Sequence, residues 1–171
     1  CEYSQTNNLK DGPLFSEPQP VMIVSGDHDF QQLQKYSNVS QWSPSRKRMV
    51  KIKESAHEVL MEHIIIGDRG DGVPNILSDD DVFVTGKRQR PIRKLLLAEW
   101  KKQQPEVWVN GDMAHGYTRN KQLVDLSQTP QEIKDQIVFE YEAQKDKGRS
   151  DIFNYFLKYQ LNGMMDVIQE F

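Results

Sequence analysis

Four aspartates occupy places where carboxylates could do chemistry. Asp27 and Asp29 lie two residues apart in Ser25-Gly26-Asp27-His28-Asp29, just beyond the apolar run Val21-Met22-Ile23-Val24. Acids this close repel each other unless a cation sits between them, and hard oxygen ligands of this kind suit Mg2+ or Mn2+. A second reading of the same residues is a helix cap, because aspartate is favoured at the N-cap of a helix starting near Phe30. Both readings stay open on this stretch alone. Asp68 and Asp71 lie in Gly67-Asp68-Arg69-Gly70-Asp71-Gly72-Val73-Pro74-Asn75-Ile76. The glycines and the proline describe a tight turn between helices, with Val73 driven toward an extended conformation by the proline after it. Such a turn can turn backbone groups outward to grip a phosphate or a monovalent cation. His28 reads as a surface residue, while His63 and His115 have no partner at ligand spacing and read as structural.

The elements that must position these acids follow from periodicity. Val21 to Val24 is apolar without a break and mostly β-branched, the pattern of a strand buried on both faces of a parallel sheet. Its end is the carboxyl edge, where open α/β folds place their chemistry. Phe30 to Tyr36 reads as a short helix, and Val39 to Lys53 alternates about Ser43-Pro44-Ser45-Arg46 as a hairpin does. Ser55 with Glu58 has capping-box spacing, and Ala56, Val59, Leu60, His63 and Ile64 form an inward stripe on a helix that stops at Gly67. Ser78 to Gly86 reads as an acidic loop with a possible short strand. Pro91 is placed to begin a helix that buries Ile92, Leu95, Leu96 and Trp100. A short helix or turn is expected over Pro105–Asn110, and further helices over Asp112–Gln122 and from Thr129-Pro130 to about Gln144, the last burying Ile133, Ile137, Val138 and Tyr141. Trp100 and Trp108 read as core. Cys1 to Leu9 reads as the tail of a helix, Lys10 to Pro20 as a loop, and Lys145 to Ser150 as a linker before a stripe from Ile152 to Ile168.

Charge narrows the function classes. The 171-residue chain carries a net charge of −3, which argues against coating nucleic acid by bulk positive charge. Its cations are segregated, however, into Arg46-Lys47-Arg48 with Lys51 and Lys53, and into Lys87 to Lys102 with Arg88, Arg90, Arg93 and Lys94. Basic flanks around an acidic centre fit an anionic polymer held near a metal, and the competing reading is a set of solvated faces. The single cysteine, Cys1, can form no internal disulfide and resembles no zinc site, in keeping with a reducing cytoplasm. No apolar run approaches membrane-spanning length, so a soluble protein with no membrane partner is expected.

The ordered pair of motifs, Ser25-x-Asp27-x-Asp29-x-x-Gln32-Leu33 followed by Gly67-Asp68-x-x-Asp71-Gly72-Val73-Pro74, resembles the flap endonuclease and 5′-to-3′ exonuclease family. Trp42-Ser43-Pro44, Val50-Lys51-Ile52-Lys53, Arg119-Asn120-x-x-Leu123-Val124-Asp125-Leu126 and Gln169-Glu170-Phe171 are similar to the phage ribonuclease H branch of that family. The resemblance implies an α/β chain. Residues 1–53 would be the end of a PIN/resolvase-like parallel sheet, and residues 54–171 a helix-three-turn-helix and carboxyl-terminal helical domain. It further implies a metal-dependent 5′ nuclease that removes RNA primers during replication and cuts flapped or nicked duplexes. Asp27 resembles a ligand of a first metal, Asp29 and Asp71 ligands of a second, and Asp68 a supporting carboxylate. Two Mg2+ or Mn2+ ions about 4 Å apart can activate a water and steady the leaving oxygen.

By the same resemblance Gly70, Gly72, Val73 and Asn75 would hold the duplex backbone, with Arg88, Arg90, Arg93 and Lys94 as phosphate contacts. The turn would hold K+ through its carbonyls. Asn75 stands where the family usually has a glycine, and asparagine tolerates the left-handed conformation better than most residues. Duplex, nicked or flapped DNA and RNA–DNA hybrid are the implied substrates. A single-strand-binding protein and a clamp are the implied replication partners, the chain being a monomer in the cytoplasm of a phage-infected bacterium. The chain opens on Cys1-Glu2-Tyr3 and reads as the carboxyl-terminal part of a longer protein. The family's remaining acids lie outside it, so the chain alone is expected to lack a complete first metal site and to cleave poorly. Two other classes compete. A non-catalytic duplex-binding module would tolerate loss of Asp27, Asp29 and Asp71, and a PIN-like toxin ribonuclease would end soon after its sheet.

Overall fold

The computed structural model describes residues 18–144 and 149–170 together with Gln5. The expected helix tail over Cys1–Leu9 (Gln5 apart), the loop before residue 18 and most of the Lys145–Ser150 linker lie outside the described residues. The chain divides into two compact units, Cys1–Thr129 and Pro130–Phe171.

The first unit combines a small sheet with helices. Strand β1 (Val21–Val24) pairs in parallel with β2 (Val39–Ser43), Val21 opposite Val39 and Val24 opposite Trp42. Strand β3 (Arg48–Met49) returns antiparallel to β2, completing the expected hairpin. A 3-10 helix, Asp29–Lys35, makes the crossover from β1 to β2. Burial of β1 on both faces is not observed: Met22 is 53% exposed and Val24 65%. Successive strand side chains point to opposite faces, so Val21 and Ile23 turn inward while their neighbours face out.

Helix α1 (Ala56–Ile66) begins with the full capping box: Ser55 Oγ accepts from the Glu58 N–H and the Glu58 carboxylate accepts from the Ser55 N–H. These two bonds satisfy amides that the first turn leaves without a partner. The buried side of α1 is Met61, His63, Ile64 and Ile65, shifted from the expected stripe toward the carboxyl end. Met61, Ile64 and Ile65 join Ile76, Trp100, Trp108 and Val124 in one core. Trp100 and Trp108 stack at 4.8 Å and 12°, with Tyr117 edge-on to Trp108.

Two expectations in this unit are corrected. Ser78–Gly86 forms consecutive turns with no strand, pinned by buried Val82. Helix α2 spans Lys94–Trp100 rather than starting at Pro91, with Arg93 as an extended N-cap. The later start rotates the buried face to Leu96, Leu97 and Trp100, leaving Leu95 87% exposed. Short α3 (Pro105–Trp108) and longer α4 (Asp112–Val124) follow, both as the sequence leads one to expect.

Lys101, just past α2, is only 7% exposed and bonds Glu54 and Glu62. Burial opposes its charge, but the hydrogen bonds and charges of the two glutamates outweigh burial and raise its pKa above the ordinary lysine value. A raised folded-state pKa means this stabilisation is complete below the unfolded value of about 10.4 and is lost as pH rises through the folded one. Lys101→Met is therefore expected to lower stability by about 1–2 kcal/mol at neutral pH, the glutamates being half solvated. Urea unfolding checks this, and the difference between variant and parent should shrink as pH rises past the ordinary lysine value of about 10.4.

The second unit holds α5 (Gln131–Gln144), α6 (Ile152–Lys158) and α7 (Asn162–Met165). Ile133, Ile137 and Tyr141 are exposed and Val138 only half-buried, so the expected burial along α5 is not seen. A unit this small has too little interior to enclose a fourteen-residue helix. Among the described residues no helix is long and apolar enough to cross a membrane.

Candidate metal and nucleic-acid site

The loop leaving β1 is held at its backbone. Gln41, on β2 and 1% exposed, donates through Nε2 to the carbonyls of Ser25 (2.9 Å) and Asp27 (2.7 Å). A Cβ on Gly26 would press on Ser43 Oγ, so glycine lets the loop lie against β2. Within the loop Asp27 Oδ1 accepts from the Asp29 N–H at 3.0 Å, an Asx turn rather than a helix cap. Gln32 Nε2 donates to the Asp29 carbonyl (2.9 Å) and to the Val124 carbonyl (3.0 Å), while its Oε1 accepts from the Leu126 N–H. The β1 loop is thereby fastened to the end of α4.

The second acidic segment is folded around Asp68. Its Oδ1 accepts from the N–H groups of Gly70 (2.7 Å) and Asp71 (3.2 Å). Val73 N–H donates to the Asp68 carbonyl and closes the turn. Burial opposes ionisation of Asp68, but these amides and His63 outweigh it and lower its pKa. Gly67 ends α1 at φ +74°, a conformation suited to glycine.

His63 of α1 links the two segments. Its Nε2 lies 3.2 Å from Asp68 Oδ2, and its Nδ1 lies 3.1 Å from Asp29 Oδ1 and 3.3 Å from His28 Nδ1. The Asp29 contact is not a hydrogen bond, and Asp29 Oδ1 is left buried without a hydrogen-bond partner. Burial raises the Asp29 pKa; His63 opposes the shift, while Asp27, Asp68 and Asp71 add to it. Burial and His63 lower the His28 pKa against the pull of Asp29 and other acids. The structure thus brings Asp27, Asp68 and Asp71 within electrostatic reach of Asp29. Four carboxylates with one orphaned buried oxygen suit a hard cation in donor chemistry. In the arrangement seen, no group of three or more acid, histidine or cysteine side chains among the described residues stands close enough to hold a metal. His63 is the neighbour that sequence spacing missed; its place on the inward face of α1, five residues before Asp68, is the signal that could have found it.

The four amides expected to grip the duplex are not free. The N–H groups of Gly70, Gly72, Val73 and Asn75 all donate within the chain, to Asp68 Oδ1, the Arg69 carbonyl, the Asp68 carbonyl and Gln89 Oε1. Asn75 is not left-handed; positive φ among non-glycine residues is confined to Lys47 and Gln160 in the described residues. Its side chain instead accepts from Leu77 N–H and Ser78 Oγ and donates to the Arg90 carbonyl. Ser78 Oγ also accepts from the Arg90 N–H. The turn is therefore fastened to the extended segment that carries Arg88, Arg90 and Arg93 into Lys94, all exposed.

Helix α4 closes over the turn. Gly116 lies so near the Ile76 carbonyl that a Cβ would collide with it. Fully buried Asn120 donates to the carbonyls of Ile64 (2.7 Å) and Pro74 (2.8 Å). Arg119 reaches the carbonyls of Pro74 (2.9 Å), Asn75 (3.2 Å) and Ser78 (3.4 Å) and the Asp80 carboxylate. A cleft of about 690 Å3 is lined by Ser78, Asp80, Asp112, His115 and neighbours and includes none of the four clustered aspartates. His115 there pairs with Asp80 at 2.9 Å.

Residues 54–171 match the family model described as T4 RNase H, C terminal. The chain is also similar to a protein named Ribonuclease H from Enterobacteria phage T4, 35% identical over 162 residues. That similarity covers 91% of this chain and 53% of the phage protein, so the chain spans about half the length of the curated relative it matches.

Proposed function

We propose, from the premise that the chain belongs to the family of T4 RNase H carboxyl-terminal domains, that it forms part of a divalent-metal 5′ nuclease acting on flapped, nicked or RNA-primed duplexes. The observation that carries this is the convergence of two separate acidic segments on His63, with a buried, unpartnered Asp29 oxygen between them. Asp27, Asp29 and Asp71 would hold Mg2+ or Mn2+, with Asp68 oriented by its amide bonds to support them. Bound there, the ions supply an activated water and charge stabilisation for phosphodiester hydrolysis. The chain's own groups do the holding. Gln41 and Gln32 fix the β1 loop, and Asn75 docks the basic segment whose arginines would carry the phosphate backbone toward the acids. Finer assignments, the sheet as the end of a PIN-like domain and the glycine turn as a helix-three-turn-helix element, belong to the same reading. So does the expectation that acids outside this chain complete the first metal position.

Mn2+ titration of the full chain, followed by electron paramagnetic resonance, tests the assignment. Asp29→Asn is expected to weaken Mn2+ binding about tenfold or more while leaving duplex affinity unchanged. Unaltered Mn2+ binding would remove Asp29 from the ligand set. The chain with Mg2+ and a 5′-flap duplex is expected to bind without robust cleavage, and efficient cutting would contradict the incomplete site.

A second reading, a non-catalytic duplex binder, is favoured by one observation: no ligand group is assembled at metal-holding distance among the described residues. On that reading no saturable Mn2+ binding occurs, and asparagine at positions 27, 29 and 71 changes nothing.

A further inference from the structure

The carbonyls of Pro74, Asn75 and Ser78 and the carboxylate of Asp80 all point at one side chain, the guanidinium of Arg119. An array of carbonyl oxygens with a single carboxylate is the donor set that a hard metal cation takes. Here an arginine takes it, with five N–H groups in a fixed planar fork. Its Nε donates to Asn120 Oδ1 at 2.9 Å, which fixes the plane of the fork. The oxygens have little capacity left. Pro74 O accepts from both Arg119 and Asn120 Nδ2, using both lone pairs. Asn75 O accepts from Arg119 and from the Ser78 N–H at 3.0 Å. The Arg119 side chain is 14% exposed, so its charge is held inside the fold rather than offered to solvent. A K+ ion at these carbonyls would have to displace a tethered cation that is already bound through at least four oxygens.

We propose that Arg119 is the resident cation of the glycine turn: its guanidinium fills the oxygen cage formed by Pro74, Asn75, Ser78 and Asp80, so the turn needs no monovalent metal ion. The turn then keeps its shape, and the basic segment tied to it keeps its place, whichever cation is in solution. The duplex-binding part of this proposal rests on the nuclease reading; the stability part does not.

The test is a cation exchange on the full chain. Melting temperature and affinity for a blunt DNA duplex are measured in KCl, NaCl and tetramethylammonium chloride at equal ionic strength. The wild type is expected to melt alike in all three and to bind duplex within about twofold. A K+-specific rise in melting temperature, or a K+-specific gain in affinity of about tenfold, overturns the proposal. Arg119→Ala opens the cage. This variant is expected to acquire the dependence the wild type lacks, melting higher in KCl or with low millimolar methylguanidinium than in tetramethylammonium chloride. A variant as indifferent to the cation as the wild type counts against the cage. Should the variant not fold in any salt, the wild-type exchange decides alone. The melting arm contains no nucleic acid, so failure to bind duplex in every salt would count against the nuclease reading and leave this proposal standing.

Discussion

Gly67→Ala is expected to destabilise the chain by about 3–5 kcal/mol, lowering the melting temperature by roughly 10 °C. Two effects add. The residue has φ +74° and ψ −173°, where an L side chain is strained, and a Cβ there would strike the backbone carbonyls of Val73 and Pro74. Neither carbonyl can easily retreat. Pro74 O is held by Asn120 and Arg119, and Val73 by its N–H bond to the Asp68 carbonyl. Relief would have to come from the end of α1, which carries His63 away from Asp29 and Asp68. Thermal melting measures the destabilisation and Mn2+ binding the displacement of His63; a melting point within a degree of the wild type would contradict the close approach.

Asn120→Asp is expected to cost at least as much as Asn120→Ala, about 3–4 kcal/mol in either case by urea unfolding. The side chain is wholly buried and works chiefly as a donor, its amide nitrogen bridging the carbonyls of Ile64 and Pro74. Alanine removes the donor and leaves a void. Aspartate preserves the volume but sets a carboxylate against two carbonyl oxygens, an arrangement that burial makes worse. If position 120 mattered only for volume, aspartate would be tolerated and alanine would not, the reverse of what the hydrogen bonds require.

The parts of this architecture that the sequence made legible are those set by near neighbours. The capping box at Ser55 and Glu58, the stop at Gly67, the hairpin about Pro44 and the parallel pairing of the Val21–Val24 strand each follow from a few adjacent residues. The family, too, was legible from the two spaced acidic motifs. Burial was less so. Leu95 and Ile133 are apolar and correctly spaced for an inward stripe, yet they face solvent, because helix start and unit size, not spacing, decide which face has something to cover it. The grip on the site was least visible. His63 finds Asp29 across an intervening 3-10 helix and hairpin, and Arg119 and Asn120 bind backbone carbonyls, which have no signature in residue type. Asn75 shows the same limit from the other side. Its identity suggested left-handed backbone, but its amide is used to dock the Arg90 segment instead.

Gln32 gives the arrangement one more property. By bonding the Val124 carbonyl and the Leu126 N–H, it ties the Asp29 loop to one end of α4, while Gly116, Arg119 and Asn120 tie the glycine turn to the body of the same helix. The two acidic arms therefore share a single spine. The two segments are joined through one helix, so a displacement of either is carried to the other.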